Sequence, residues 1–434
     1  MFQNQGDEHM QKRGSVPPDQ GSDDPSRLDA CYASDETYES DTSYETANIP
    51  RSAASGKLHA ETIIVGGGVI GCAIAYELTR RGHEVLLIEQ NEIASGSSCA
   101  AAGMLAADSE DFTHPVIAQA ALESRALLHS QKDQLSALSG MELGLRQSGF
   151  ITPFRSYSEL SRYKENRRSS SLTEQLWWDR NTLQREAGWL NRDTYGAYYR
   201  SLESEILPVS LTRAYVSSAH RMGARIWEGV KDIQLIVNQL GVQGIATPKG
   251  NVTCKHVIIA AGLNGETLLQ QAGINLPSTP VKGEVAAIQF PADQTAYKPD
   301  RTLYAEDVYI VPKANGEVWI GATSWPGKKD HSVSAYSVQR LLGTASSWVP
   351  GIKEAHFLRA WAGVRPSTPD GLPYIGECEN LPGLFTAYGH YRNGILLSAV
   401  TGRWIADMLE GKSAEDIGIE ALSPNRLNRK EVVR

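Results

Sequence analysis

Residues 61–89 read ETIIVGGGVIGCAIAYELTRRGHEVLLIE, and this stretch decides the fold. The apolar run before the glycines predicts a β-strand, the pattern after them predicts a helix, and VLLIE predicts a second strand that ends in an acid. Gly66 permits a tight turn, Gly68 lets the backbone approach a pyrophosphate, and Gly71 lets the helix pack closely on the strand. The stretch therefore predicts a strand–turn–helix–strand unit that binds a dinucleotide.

The acid at the end of the second strand indicates which dinucleotide fits. The helix N-terminus offers unpaired N–H groups and the positive end of a dipole to the phosphates. Glu89 lies eighteen residues beyond Gly71 and can accept hydrogen bonds from an adenosine ribose. Because an acid there disfavours a 2′-phosphate, FAD or NAD fits better than NADP. A glycine turn without a nucleotide is the alternative, which the flanking strand, helix and acid disfavour.

Length, charge and cysteine usage exclude several classes of protein. The chain has 434 residues, 41% of them hydrophobic, and can bury a sizeable core in two lobes. Its net charge is −8 and no basic stripe is present, so no nucleic-acid partner is expected. No uninterrupted apolar run is long enough for a membrane span. The five cysteines have neither zinc-ligand nor disulfide spacing, so no metal site and a cytoplasmic location are predicted.

The first 58 residues differ from the rest of the chain. They contain eleven acidic and five basic side chains and almost no aliphatic periodicity. Because burial there is too small to offset the entropy of ordering, residues 1–58 are predicted to be a disordered acidic tail. Three tyrosines, Tyr32, Tyr38 and Tyr44, leave open a short binding motif, although the composition favours a spacer.

The remaining chain alternates between two kinds of pattern. Residues 255–262 have the near-continuous apolarity of a parallel strand buried on both faces, and residues 383–409 repeat the order strand, glycine turn and helix. A long helix is predicted over residues 115–139, and strands are predicted near residues 149–153, 284–289, 309–312 and 318–322. The predicted fold class is α/β, with a discontinuous Rossmann-like dinucleotide domain formed by residues 59–145, 205–275 and 355–434. An inserted antiparallel-sheet α+β domain for substrate is predicted over residues 146–204 and 276–354.

Three polar side chains are candidates for substrate binding. Arg365, in the segment WAGVRP, could present two parallel donors to a substrate carboxylate. Tyr309, in an alternating strand pattern, could donate its hydroxyl to the same carboxylate. Arg392 lies within the glycine turn of the C-terminal unit, at residues 389–394. Taken alone, Arg365 could be a surface ion-pair residue and Tyr309 a core residue.

Several motifs occur in one order along the chain. They are CAAAGML at 99–105, PVKGE at 280–284, YIVP at 309–312, the segment 361–371 and RNGILL at 392–397. Together they resemble the glycine oxidase branch, associated with thiamine biosynthesis, of the D-amino-acid oxidase family of FAD flavoproteins. The resemblance begins near Thr62 and omits only the N-terminal tail.

The resemblance implies non-covalently bound FAD between a cofactor domain and an antiparallel substrate domain. Arg365 and Tyr309 would hold the substrate carboxylate, and Arg392 would line the pocket with its main-chain carbonyl facing the amine. The implied cofactor contacts are Gly66, Gly68, Val69, Ile70, Gly71, Glu89, Gln90, Ser97, Ser98, Ala102, Gly103, Met104, Val230, His390, Tyr391, Arg392, Asn393, Gly394, Ile395 and Leu396.

The resemblance also implies the chemistry. A small amine would lose hydride from Cα to the flavin, the imine would hydrolyse to an oxo acid and ammonia, and O₂ would be reduced to hydrogen peroxide. In this branch the glycine imine can instead be used for the thiazole of thiamine. The resemblance makes a homotetramer one candidate oligomeric state.

One position departs from the family pattern and leaves the substrate open. Ser324 follows GAT, where a bulky methionine occurs in related glycine oxidases, so glycine competes with sarcosine or a small D-amino acid as the preferred substrate. The sequence also leaves open a dehydrogenase that uses another electron acceptor and a flavin-binding assembly protein without turnover. Residues 367–370 lack the cysteine that links flavin in related sarcosine oxidases, so covalent attachment is not expected.

Overall fold

The computed structural model describes residues 58–167 and 175–427. Apart from Leu58, the predicted acidic tail lies outside the described residues. The strands are β1 Leu58–His59, β2 Thr62–Val65, β3 Val85–Ile88, β4 Met104–Leu105, β5 Phe150–Phe154, β6 Leu176–Asp179, β7 Gly196–Arg200, β8 Ser204–Glu205, β9 Arg225–Trp227, β10 Gln234–Asn238 and β11 Gly241–Thr247. The strands that follow are β12 Gly250–Thr253, β13 His256–Ile259, β14 Thr279–Gln289, β15 Thr302–Tyr304, β16 Tyr309–Pro312, β17 Val318–Gly321, β18 Trp325–Pro326, β19 His356–Ser367, β20 Tyr374–Glu377 and β21 Leu384–Tyr388.

Helices connect these strands. The α-helices are α1 Val69–Arg80, α2 Pro115–Ser139, α3 Tyr157–Asn166, α4 Arg180–Glu186, α5 Pro208–Arg221, α6 Gly265–Gln270, α7 Ala335–Trp348, α8 Gly394–Leu409 and α9 Ala414–Ile417. Short 3₁₀ turns span Gly262–Asn264, Ala292–Tyr297, Pro350–Glu354 and Glu420–Leu422. Helix α2 has the bounds that the apolar spacing predicts; Pro115 begins it and Gly140, in the left-handed conformation at φ 73°, ends it.

A six-stranded sheet carries the predicted glycine turn. Its strand order is β20-β21-β13-β2-β3-β9, and all neighbours are parallel except β20, which runs antiparallel to β21. Alternate residues of its central strands enter two different cores: Ile64 packs with helices α1, α2, α5 and α8, whereas Ile63 packs against the small sheet β1-β12-β11-β10. Burial on both faces explains why these strands are continuously apolar in the sequence.

A second, nine-stranded sheet lies beside the first. Its order is β18-β14-β17-β16-β15-β5-β7-β6, with β19 also paired to β14. Neighbours run antiparallel except β15 and β5, which are parallel. Helix α7 packs on β14 and β17 through a separate core that contains Leu341 and Trp348.

The predicted fold class is confirmed: a Rossmann-like parallel sheet, assembled from separated segments, is combined with an antiparallel sheet. Strand β19 differs from the sequence analysis, which placed residues 355–434 in the dinucleotide domain. It pairs with β14 along its length, from Ser367 opposite Thr279 to His356 opposite Gln289. The sequence analysis used the motif around Arg365 to predict a binding site and did not predict the strand to which this segment pairs. The other domain boundaries stay a prediction.

Candidate active site

A cavity of about 760 Å³ lies where the two sheets meet. It opens at the carboxyl ends of β2, β3, β13 and β21, the edge of a parallel sheet at which ligands bind. Residues of β14, β16, β17 and β19 form the opposite wall. The volume lies in the range of cavities that hold a large organic ligand.

The cavity collects most of the predicted site residues in one place. Twenty of them line it: Gly66, Gly68, Val69, Ile70, Glu89, Gln90, Ser97, Ser98, Ala102, Gly103, Met104, Val230, Tyr309, Arg365, His390, Tyr391, Arg392, Asn393, Gly394 and Ile395. Two others do not. Gly71 lies behind the glycine turn, and Leu396 is buried in the helical core. Whether each lining residue contacts a cofactor stays a prediction.

The glycine turn has no room for side chains. Gly66 has φ +117°, and a Cβ there would lie 2.5 Å from the carbonyl oxygen of Ala260. A Cβ on Gly71 would collide with the Gly66 carbonyl oxygen. Helix α1 can therefore start directly against the turn, with Gly68 as its N-cap and no side chain capping it. The amide of Val69 donates to the Ser98 hydroxyl at 2.9 Å, which ties the residue 95–104 segment to the helix start.

The Glu89 carboxylate lines the cavity next to the glycine turn. It accepts the amide of Gly67 at 2.6 Å on one oxygen and the amide of Asn91 at 2.9 Å on the other. Burial raises the pKa of Glu89, and the backbone hydrogen bonds partly oppose that rise. A carboxylate has about four acceptor positions, so both oxygens can still accept a ribose hydroxyl.

Arg365 and Tyr309 each lie over a glycine of a neighbouring strand. The Arg365 guanidinium covers Gly283, where a Cβ would collide with its nitrogens. Tyr309 is the cross-strand partner of Gly321, where a Cβ would collide with the phenol ring. The sequence analysis missed both glycines, although the KGE and IGAT segments contain them. They are the reason that two large side chains can lie flat against the sheet.

Charge separates the roles of the two arginines. Among the described residues Arg365 has no carboxylate partner, and its guanidinium donates only to the Thr323 carbonyl oxygen, at 3.2 Å. Arg392 instead forms an ion pair with Glu110, with 2.5 Å between Nη2 and Oε2. Burial lowers and the Glu110 charge raises the pKa of Arg392, and the net shift is upward. Arg365 is therefore the cavity arginine left to bind an added carboxylate.

Tyr309 lines the same cavity as Arg365 and Arg392. Burial raises its pKa to about 12, while Arg365 and Arg392 act in the opposite direction. The phenol therefore stays protonated at neutral pH and can donate a hydrogen bond to a carboxylate held by Arg365.

Sequence reasoning missed Glu110 and the residues that hold it. Residues 107–109 donate three backbone amides, at 2.6–2.9 Å, to the fully buried carboxylate of Glu203. Arg125 bridges Glu203 at 2.6 Å and Asp108 at 3.2 Å. This buried network fixes the turn that leads into Glu110. Nothing local in the sequence signals it, because Glu203 is 95 residues away from Asp108.

Three side chains beside the expected flavin position bond to neighbouring segments. Ser97 donates its hydroxyl to the Val364 carbonyl oxygen at 2.6 Å, which links the residue 95–104 segment to β19. Lys313 is buried and donates to the carbonyl oxygens of Ala102 and Ile206. His390 is also buried, beside Thr401, and burial lowers its pKa to about 3.

Metal-binding clusters and membrane-spanning helices are not found in the described part of the chain. Within residues 58–167 and 175–427, no group of three or more His, Cys, Asp and Glu side chains could hold a metal ion. Over the same ranges, no helix has both the length and the apolar character needed to cross a membrane. The four cysteines there, Cys72, Cys99, Cys254 and Cys378, form no disulfide.

Comparison with known proteins agrees with this geometry. The family model described as FAD dependent oxidoreductase matches residues 61–408. A glycine oxidase of Geobacillus kaustophilus is 37% identical over 81% of this chain and 93% of its own length. The crystal structure of glycine oxidase from Bacillus cereus has a TM-score of 0.76 and 32% identity, covering 82% of this chain and 98% of that one.

A third relative combines two proteins in one chain. It is the bifunctional protein ThiO/ThiG of Trichormus variabilis, which is 31% identical over 82% of this chain and 54% of its own length. Because the family model covers most of the chain and the similarity to glycine oxidases spans nearly their whole length, the chain belongs to the FAD-dependent oxidoreductase family that contains D-amino-acid oxidases and glycine oxidases.

Proposed function

We propose that this protein is an FAD-dependent glycine oxidase. It converts glycine, water and O₂ to glyoxylate, ammonia and hydrogen peroxide, and also accepts small amines such as sarcosine or D-alanine. The observation that carries the proposal is Arg365, a cavity cation without a carboxylate partner among the described residues, in the same cavity as a dinucleotide turn. The similarity to glycine oxidases over 81–82% of the chain supports it.

The residues present fit non-covalent FAD. The side-chain-free turn at Gly66 and Gly71, the α1 N-terminus and the Glu89 carboxylate suit a pyrophosphate and a ribose. The cofactor-contact set named from the sequence is proposed on this basis. Bound FAD would supply the chemistry by accepting hydride from the substrate and passing the electrons to O₂.

The side chains of this protein orient the substrate. Arg365 can hold both oxygens of the carboxylate with parallel N–H groups, and the Tyr309 hydroxyl adds a donor. Fixing the carboxylate at two points sets the direction of Cα, which is how binding energy becomes correct geometry for hydride loss. Glu110 neutralises the Arg392 side chain, so the carboxylate has one strong binding position rather than two.

A second substrate is favoured by one observation. Ser324 lines the cavity and is exposed, and its side chain is far smaller than the methionine expected there. Because the serine side chain occupies less of the cavity, it leaves space for the N-methyl group of sarcosine or the β-methyl group of D-alanine. An extra methyl group in an apolar pocket changes discrimination by only about 10–200-fold, so both substrates should be turned over.

The surroundings of the reaction are also proposals. We propose the predicted cofactor and substrate domains, with β19 counted as part of the substrate sheet because it pairs with β14. A cytoplasmic location is proposed from the cysteine pattern, and a homotetramer and use of the glycine imine for thiazole synthesis are proposed from the family resemblance. The similarity to a ThiO/ThiG protein supports the last of these.

A substrate panel tests the function. Purified protein is supplied with glycine, sarcosine, D-alanine and L-alanine, and kcat/KM is measured from peroxide release and from oxo-acid formation. The proposal expects peroxide with glycine and less than about 200-fold difference among the first three. Turnover that needs an added dye or quinone would identify a dehydrogenase, and flavin-loaded protein inert to all four would contradict the proposal.

A further inference from the structure

Strand β14 places a buried carboxylate behind the substrate-binding arginine. Glu284 is 1% exposed and directly follows Gly283, the residue that the Arg365 guanidinium covers. It does not line the cavity, whereas Gly283 and Val285 do. Any effect of Glu284 on substrate must therefore act through another residue.

Glu284 is the acceptor for four donors from one stretch of chain. One carboxylate oxygen accepts the Thr323 hydroxyl at 2.9 Å, the Trp325 indole N–H at 2.8 Å and the Ser337 hydroxyl. The other accepts the Ser334 amide at 2.9 Å. Burial opposes ionisation, but the bonds from Ser337, Ser334, Trp325 and Thr323 outweigh it, so the pKa of Glu284 is lowered and the group is charged at neutral pH.

The main chain repeats the link between Glu284 and Thr323. The Glu284 amide donates to the Thr323 hydroxyl at 2.9 Å, and the Thr323 amide donates to the Glu284 carbonyl oxygen at 3.3 Å. The Thr323 carbonyl oxygen then accepts Nη1 of Arg365 at 3.2 Å. A continuous path of hydrogen bonds thus joins the buried carboxylate to the guanidinium.

The same stretch of chain forms a wall of the cavity. Thr323 and Trp325 both bond to Glu284, while Ser324 between them lines the cavity, as do Lys329 and His331 further on. Two residues before Glu284, Lys282 donates to Asp330 at 2.6 Å and to Ser332 at 3.3 Å. Residues 323–334 are therefore held at both ends and in the middle by side chains of β14.

We propose that Glu284 is a positioning residue for substrate recognition: it holds residues 323–334 so that the Thr323 carbonyl fixes the Arg365 guanidinium for the substrate carboxylate. It also sets the position of Ser324 in the cavity wall. The inference rests on the proposed role of Arg365 as the carboxylate-binding residue.

Two substitutions break the path while the Arg365 and Ser324 side chains stay in place. Glu284 lies outside the cavity lining, whereas Thr323 belongs to it. Glu284→Gln keeps the shape of the side chain but replaces one carboxylate oxygen with an NH₂ group. That group then faces a donor, either the Ser334 N–H or the three donors on the other oxygen, so hydrogen bonds are lost. Thr323→Val removes the hydroxyl and leaves the carbonyl. Glu317→Gln is the matched control. Glu317 is a buried carboxylate directly before β17 of the same sheet, and it accepts hydrogen bonds from Arg359 and Trp319 outside the cavity lining.

The readout is carboxylate affinity in the flavin-loaded protein. Acetate, a carboxylate without an amine, is titrated against the flavin absorbance, and KM and kcat for glycine are measured separately. Losing the hydrogen bonds that fix Arg365 should weaken carboxylate binding about tenfold, which corresponds to about 1.4 kcal/mol. We therefore expect the acetate Kd and the KM for glycine each to rise about tenfold in Glu284→Gln and in Thr323→Val. We expect kcat and flavin content to stay within about twofold, as for a loss of uniform binding, and Glu317→Gln to leave the acetate Kd unchanged.

Acetate binding by the three variants distinguishes failure of the Glu284 role from failure of the Arg365 role. An acetate Kd within twofold of the parent in both variants would overturn the inference, even if their melting temperatures fall. Thr323→Val decides alone if Glu284→Gln does not fold. Arg365→Lys belongs in the same panel: if it weakens acetate binding while the other two do not, the role of Glu284 fails and that of Arg365 stands. If Arg365→Lys leaves acetate binding unchanged, both fail.

Discussion

Removing the Arg365 guanidinium should abolish most of the discrimination in favour of carboxylate substrates. Among the described residues this cation has no carboxylate partner, and it lies over Gly283 and beside the Tyr309 phenol. A bidentate guanidinium–carboxylate contact contains two charge-assisted hydrogen bonds, and each is worth about 1.5–3 kcal/mol. Water will enter the space left by Arg365→Ala and solvate the carboxylate, so we take the lower end of the sum, about 3 kcal/mol.

That free energy corresponds to a loss of roughly 100-fold in kcat/KM for glycine. Arg365→Lys restores the charge without the planar fork, and we expect it to recover about tenfold of the loss. The assay is peroxide release over a glycine series, with flavin content measured on each preparation. Arg185→Ala, at a highly exposed arginine that does not line the cavity, is the control. A loss of less than about threefold in Arg365→Ala would refute the carboxylate role.

Three further perturbations follow from the geometry. Gly321→Ala places a methyl group against the Tyr309 ring, and we expect kcat/KM for glycine to fall by about tenfold or more with flavin retained. The control Gly343→Ala, which meets open space on α7, should keep full activity, and an unaffected Gly321→Ala would contradict the packing argument. Glu110→Gln leaves the Arg392 cation uncompensated, so acetate should bind about fivefold more tightly while kcat and KM for glycine fall together; weaker acetate binding would count against this. Burial holds the pKa of His390 at about 3, below its ordinary value of 6.5. Between these pH values the unfolded chain binds more protons than the folded chain, so the free energy of unfolding decreases as the pH falls from 6.5 toward 3. Urea unfolding should show a loss of about 1.5 kcal/mol between pH 6.5 and 5 that His390→Asn lacks, and equal slopes for the two proteins would disprove the assignment.

Local sequence determined most of the cofactor half of the molecule. The glycine turn was predictable because strand, turn and helix are consecutive. Gly66 is required by its contact with the adjacent strand and Gly71 by its contact with Gly66. Helix α2 was predictable from its spacing, its first proline and its final glycine. The continuous apolarity of residues 256–259 identified a strand buried on both faces.

The substrate side was predictable only in its chemistry. Arg365 and Tyr309 could be named from their motifs, but their partners come from strands that pair across long sequence separations. Gly283 and Gly321 show their purpose only when β14, β17 and β16 are aligned in register. Glu110 meets Arg392, and Glu203 meets the turn before Glu110, through contacts that no periodicity encodes. The sequence therefore pointed to the groups that we propose bind substrate, and the fold shows which residues contact and neutralise them.

The central claim is that glycine reduces a flavin held in this cavity and that O₂ reoxidises it. The most direct measurement is the visible spectrum of the purified protein during anaerobic addition of glycine, followed by admission of air. Our account predicts an oxidised flavin band near roughly 450 nm that bleaches with glycine and returns in air with release of peroxide. A flavin band that glycine leaves unchanged, or a purified protein without flavin, would contradict it.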